Sequence, residues 1–104
     1  MADLHLLADV GGTNTRVGLS DRGGGLIADS ARSFPNADFT GLAPLLTTYL
    51  DDLGTGPVAA LCAGVAGPVR GDAAQLTNHD WHITAATLCS ATGAAQAPLL
   101  TDLQ

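Results

Sequence analysis

The plainest capacity for chemistry lies near the amino terminus, in Leu6-Leu7-Ala8-Asp9-Val10-Gly11-Gly12-Thr13-Asn14-Thr15-Arg16-Val17-Gly18-Leu19. An apolar run ends in an aspartate, turns through two glycines and a threonine, and resumes as an apolar run. Glycine lets a chain turn tightly and brings backbone N–H groups close to a ligand, so this hairpin has the make-up of a phosphate holder. Asp9, at the strand end, could hold a divalent cation that the phosphates share. Taken alone, a Gly-Gly-Thr turn between strands is more often only a turn, so the weight of the reading has to come from the rest of the chain.

Other reactive groups offer less. His79, Asp80 and His82 flank Trp81, but no third convincing ligand follows, and these residues read as surface or hydrogen-bonded groups, with Trp81 in packing. Cys62 and Cys89 each sit in an apolar segment without metal-ligand spacing, which reads as buried reduced thiols. His5 reads as a strand-face residue, and Arg16 as one partner of a structural pair or a strand-surface group. All ten acidic residues are aspartate and all four basic ones arginine, leaving a formal net charge of −6 and no lysine. Without lysine there is no Walker-type phosphate loop, so a nucleotide phosphate would have to be held by backbone N–H groups, hydroxyls, an arginine and a metal ion. The acidic balance also argues against nucleic acid or anionic lipid as the main partner, since affinity for those comes largely from clustered Lys and Arg.

These groups need a scaffold, and 104 residues, 46% of them hydrophobic, make one small domain with one core. No apolar run approaches the roughly 18 residues of a membrane span, and the amino terminus has no basic region of a signal or transit peptide. A soluble, cytoplasmic protein is expected. Strands are expected over residues 4–8, 16–20 and 26–34, joined by the Gly-Gly turn and by Asp21-Arg22-Gly23-Gly24-Gly25 as an antiparallel meander. Leu42, Leu45, Leu46, Tyr49, Leu50 and Leu53 recur at helical spacing, with Thr40 as the expected N-cap and Pro44 in or near the first turn. A buried strand follows over 58–63, then a ribbon over 69–77 turning at Arg70-Gly71-Asp72. A second helix is expected over 85–92, with Thr84 as N-cap, Gly93 just past its end and Ile83 stapled to Leu88, and a last strand over 97–101. Helical crossovers make the later strands parallel to a neighbour, which gives an α/β fold with a mixed sheet and helices on its faces. Ligands of such sheets bind beyond the carboxyl ends of strands, where Asp9, the Gly64–Pro68 turn and Asp102 all fall.

Four segments in order closely resemble bacterial glucokinase, of the actin, Hsp70 and sugar-kinase superfamily. They are residues 7–16, then Cys62-Ala63-Gly64-Val65-Ala66-Gly67-Pro68-Val69-Arg70-Gly71-Asp72, then Leu76-Thr77-Asn78-His79-Asp80-Trp81, then Leu99-Leu100-Thr101-Asp102. The resemblance implies a ribonuclease-H-like/actin-like ATPase domain with a mixed five-stranded sheet, a three-strand antiparallel meander plus parallel strands. It implies ATP-dependent phosphorylation of glucose to glucose 6-phosphate, the first step of glycolysis, with ATP and Mg²⁺ as cofactors. By the same resemblance Ala8, Asp9, Val10, Gly11, Gly12 and Thr13 form the nucleotide phosphate loop, and Asp9 takes the Mg²⁺-linked role, through water. Asp102 becomes the general base for the sugar hydroxyl, with Asn78 and Thr101 beside the sugar. One position departs from the family: Asn usually precedes the catalytic Asp, whereas this chain has Thr101, which keeps a hydroxyl but loses the two-ended amide.

The match covers the amino-terminal small domain only. The expectation is therefore a chain, residues 1–104, without the large carboxy-terminal domain and with negligible activity alone. Glucose and ATP are the implied partners, with no nucleic acid or membrane, and a homodimer is implied for the full-length family. Two other readings stay open: a non-catalytic remnant of a glucokinase, and a regulatory module of the same superfamily that binds sugar or nucleotide without turnover.

Overall fold

Leu6, Ala8 and Val10 alternate with His5, Leu7 and Asp9, and in the computed structural model this alternation is a strand, β1 (His5–Val10), buried on one face only. The structure describes residues 4–21, 25, 27, 30–54, 58–67, 69–76 and 81–101, with the side chain of Thr101 outside the description. The Gly-Gly turn leads into β2 (Asn14–Ser20), antiparallel to β1 with Val10 opposite Thr15 and His5 opposite Ser20. Beyond it lies β3 (Arg32–Pro35), also antiparallel, with Asn14 opposite Pro35.

β3 is shorter than the strand expected over 26–34, of which Leu26, Ala28 and Asp29 lie outside the described residues. The cause is Ser30. Its hydroxyl accepts from the Leu19 N–H at 3.1 Å and donates to the Ile27 carbonyl at 2.6 Å, so a side chain takes over ladder partners that a regular strand would supply. A 3₁₀ turn over Asn36–Asp38 follows β3.

The first helix, α1 (Leu42–Leu53), buries the stripe Leu42, Leu45, Leu46, Tyr49 and Leu50, as the spacing required. Its N-cap is Gly41, not Thr40, and makes no side-chain cap bond. Core burial of Leu42, 2% exposed, fixes the first turn, and Pro44 then sits where an N–H has no intrahelical partner to lose. Gly54, left-handed at φ 68°, ends the helix and donates its N–H to the Leu50 carbonyl at 2.8 Å.

β4 (Ala60–Val65) runs parallel to β1, starting two residues later than expected. Val58 and Ala59 are nonetheless tied in, their N–H groups donating to Thr92 and Leu4 carbonyls at 3.0 and 2.8 Å. A second, three-stranded antiparallel sheet comes next: β5 (Val69–Arg70), β6 (Ala73–Leu76) and β7 (Trp81–Thr84). The ribbon was expected as far as β6, whereas β7 was not. Trp81 and Ile83 bury on one side of β7 while His82 stays exposed.

α2 (Ala85–Thr92) follows as expected, with the Thr84 hydroxyl oxygen accepting from the Thr87 N–H at 3.3 Å and Gly93 left-handed at φ 78°. β8 (Leu99–Thr101) then pairs parallel with β4. The main sheet has the order β3-β2-β1-β4-β8, three antiparallel strands followed by two parallel additions, as a ribonuclease-H-like, actin-like domain requires.

Both helices contribute to one continuous core with Leu6, Val10, Val17, Leu61 and Val65. α1 lies over β3 through an edge-on contact of Tyr49 with Phe34, ring centroids 6.2 Å apart. The opposite sheet face carries His5, Leu7, Asp9 and Arg16, and there Leu7 and Leu100 are 43% and 57% exposed. No helix among the described residues is long and apolar enough to cross a membrane.

Candidate functional site

The register of the parallel strands brings their carboxyl ends to one level: Val10 pairs with Val65, and Val65 with Thr101. From that row the chain enters the Gly11-Gly12-Thr13 turn, the Ala66-Gly67 turn and, after β8, the sequence position of Asp102. This is the edge at which open α/β sheets bind ligands. The Ala66 N–H donates to the Val10 carbonyl at 2.9 Å, which fastens the turn after β4 to the start of the glycine loop.

The loop is tight. The Gly11 N–H donates to the Asn14 carbonyl at 2.9 Å, and a Cβ on Gly11 would stand 2.9 Å from that same oxygen, too close for any side chain. Asn36, fully buried, closes the loop from behind: its Nδ2 donates to the Gly11 carbonyl at 2.8 Å and its backbone N–H to the Thr13 carbonyl at 2.9 Å. The Thr15 hydroxyl, also buried, donates to Asn36 Oδ1 at 2.7 Å. Neither Asn36 nor Thr15 was singled out from the sequence, because nothing local marks an asparagine that serves a turn 25 residues away.

Asp9 alternates with the buried Ala8 and Val10 and so projects from the open face of β1. Its cross-strand neighbours are Arg16 on β2 and Gly64 on β4. Gly64 adds no side chain, and a Cβ there would meet nothing within 4 Å, so space is left beside the carboxylate. A cavity of about 240 Å³ on this face is lined by Leu7, Asp9, Arg16 and Gly18 among others. Among the described residues there is no group of three or more His, Cys, Asp or Glu that could cage a metal ion. A single exposed carboxylate with open space beside it fits Mg²⁺, which keeps several waters and is commonly held by one or two carboxylates plus phosphate oxygens.

Ala8 and Val10 turn their side chains into the core, so only their backbone can serve a ligand, whereas Thr13 is exposed at the tip of the loop. Asn78, Asp102 and the side chain of Thr101 lie outside the described residues, as do His79 and Asp80. Trp81 is a core residue, 3% exposed. Cys62 and Cys89 are free thiols, half-buried rather than fully buried. Gly67 is fixed by a close approach, since a Cβ there would fall 2.4 Å from the Gln75 carbonyl oxygen.

A family model described as Glucokinase matches residues 6–104. A glucokinase from Xanthomonas oryzae pv. oryzae (strain MAFF 311018) is 39% identical over 99 residues, covering 93% of this chain and 29% of that protein. The crystal structure of a glucokinase from an Antarctic psychrotroph superposes with a TM-score of 0.82 at 30% identity, over 98% of this chain and 33% of that one. A ROK family glucokinase from Streptomyces griseus, solved in complex with glucose and AMPPNP, superposes with a TM-score of 0.63 at 19% identity, over 95% of this chain and 32% of that one, a likeness of fold. The chain thus spans 29% of the length of the Xanthomonas relative.

Proposed function

The chain belongs to the glucokinase family, and from that premise we propose that residues 1–104 form the amino-terminal domain of an enzyme that transfers a phosphoryl group from ATP to the 6-hydroxyl of glucose. The observation that carries this reading is the common level of Val10, Val65 and Thr101, which puts the glycine loop and the approach to Asp102 at the same edge of the sheet. Phosphoryl transfer depends mostly on positioning and charge neutralisation, and those are the tasks such an edge can perform.

Each residue then has a role. The backbone of Ala8, Asp9, Val10, Gly11, Gly12 and Thr13 lines the phosphates of ATP, with the Thr13 hydroxyl available at the tip. Mg²⁺ when bound would be held by Asp9, through water, and would neutralise charge on the phosphate oxygens. Asp102 accepts the proton of the attacking hydroxyl, a contribution of about 10²–10⁴ in rate. Asn78 and Thr101 contact the sugar, and Thr101 offers one hydroxyl where an asparagine amide would offer both a donor and an acceptor. Glucose and ATP are the partners of this reading, in line with the glucose and AMPPNP held by the Streptomyces neighbour of the same fold. A cytoplasmic location and a homodimer formed through other parts of the enzyme belong to the same proposal.

The test is a coupled assay of glucose 6-phosphate with glucose, ATP and Mg²⁺. It is run on the 104-residue polypeptide and on the same residues joined to the remaining carboxy-terminal length of the Xanthomonas relative. Negligible turnover is expected from the first and measurable turnover from the second, reduced by about 10²–10⁴ in Asp102→Asn. A folded joined protein without turnover would sink the proposal. Turnover indifferent to Asp102→Asn removes the base assignment.

A further inference from the structure

Asn36 has no part in the roles given above, yet it is among the most completely buried polar residues of the chain, 0% exposed, and every partner of its side chain belongs to the glycine hairpin. We propose that Asn36 is the positioning residue of the phosphate loop: it sets the Gly11–Gly12 peptide plane and anchors the far end of the loop, so that the Gly12 N–H faces the phosphate side. This inference rests on the phosphate-loop reading of residues 8–13.

The argument starts from peptide geometry. A trans peptide is planar, with the C=O of one residue antiparallel to the N–H of the next, and the described chain contains no cis bonds. The Gly11 carbonyl is held at 2.8 Å by Asn36 Nδ2, so the Gly12 N–H of the same plane points away from Asn36. Asn36 and Thr15 lie on the helix-covered side of the sheet, because Thr15 is fully buried and pairs with the core residue Val10. The direction away from them is the side on which Asp9 projects. A second bond, from the Asn36 backbone N–H to the Thr13 carbonyl at 2.9 Å, fixes the other end of the loop.

Glycine makes this support necessary. Two adjacent glycines rotate freely, and an unsupported Gly-Gly peptide can flip its carbonyl outward, where it would repel a phosphate oxygen. The amide orientation of Asn36 is itself fixed, because the Gly11 carbonyl can only accept and takes Nδ2 at 2.8 Å, which leaves Oδ1 to accept from the Thr15 hydroxyl at 2.7 Å. A flipped Asn36 would set Oδ1 against the Gly11 carbonyl, two acceptors facing each other away from water. The Asn36 carbonyl in turn accepts from the Phe39 N–H at 3.1 Å, which holds the residue in place from its other side.

The experiment is an NMR titration of the 104-residue chain with magnesium tripolyphosphate, following the backbone amides of residues 11–14 and the Asn36 side-chain amide. In the wild-type chain the loop amides and the Asn36 Nδ2 protons are expected to shift with one midpoint. Asn36→Ala is expected to weaken binding about ten-fold, and Thr15→Val, which keeps the shape and removes only the hydroxyl, by a few-fold. Thr92→Val serves as a control for stability alone, since the Thr92 hydroxyl bonds the Leu88 carbonyl within α2, far from the loop. It is expected to lower the melting temperature without changing the midpoint. Folded Asn36→Ala or Thr15→Val chains that bind as the wild type does, or loop amides that shift while the Asn36 amide stays still, would overturn the positioning role. A wild-type chain whose loop amides do not respond overturns the phosphate-loop reading beneath it, a failure seen before any variant is made.

Discussion

At the scale of single residues, buried polar groups decide more than their number suggests. Tyr49 is fully buried, and its hydroxyl donates to the Ser30 carbonyl at 2.6 Å. Burial pushes its pKa above the ordinary tyrosine value, although the Ser30 side chain and the charge of Arg32 pull the other way. The folded chain therefore keeps the phenolic proton at a pH where the unfolded chain releases it. Stability from this group is fully present below about pH 10 and declines as pH rises from there through the folded-state pKa. Urea denaturation at pH 8 and at alkaline pH is expected to show that decline in the wild type and a shallower one in Tyr49→Phe. The variant should also lose about 1–2 kcal/mol at neutral pH, since the buried Ser30 carbonyl is left without its phenol. Equal slopes in the two proteins would show that Tyr49 is not the titrating group. The glycine loop was legible in the sequence because Asp9 through Thr13 are contiguous. Asn36, Thr15 and Ser30 were not, because their partners lie 25, 21 and 11 residues away and only the folded register brings them together.

At the scale of elements, legibility followed the source of each element's stability. α1 and α2 were read from periodicity and from end signals, and a left-handed glycine stands just past the end of each, Gly54 after α1 and Gly93 after α2. The start of α1 was misplaced at Thr40 because tertiary burial of Leu42 outweighs a capping preference of about 1 kcal/mol. For α2 the local signal prevails: the helix is eight residues long, and its Thr84 oxygen accepts from the Thr87 N–H while the two hydroxyls lie 2.7 Å apart. So short a helix has little intrinsic stability, and its cap matters in proportion. Thr84→Ala is expected to cost about 1 kcal/mol, and Thr84→Ser much less, as measured by urea denaturation at neutral pH. A Thr84→Ala chain as stable as the wild type would mean that packing of Leu88 alone holds the helix.

At the scale of the whole molecule, two sheets must be held in one relation for the strand ends to meet. The mixed make-up of the main sheet, an antiparallel meander joined by parallel strands, could be reasoned from short turns and helical crossovers. The second sheet could not be completed, because β5 and β7 have only two and four residues and their pairing is settled by what they pack against. Besides the shared core, the sheets meet at Gly67, where the chain leaving β4 passes so close to β6 that a Cβ would stand 2.4 Å from the Gln75 carbonyl oxygen. Backbone faces backbone at this point, so no side chain can swing aside to make room. Gly67→Ala must therefore separate the turn from β6, at a cost of about 1–3 kcal/mol. Each kcal/mol lowers the melting temperature of a domain this size by about 4–8 °C. Trp81, the single tryptophan, lies buried on β7 and reports on the second sheet, whereas far-ultraviolet circular dichroism reports on the whole chain. In the wild type the two signals are expected to melt together, as one cooperative unit does. In Gly67→Ala the fluorescence transition should fall below the dichroism transition, because the second sheet loses its seat before the main sheet opens. Coincident transitions in the variant, or an unchanged melting temperature, would show that the sheets are joined elsewhere and that Gly67 only lets the chain pass.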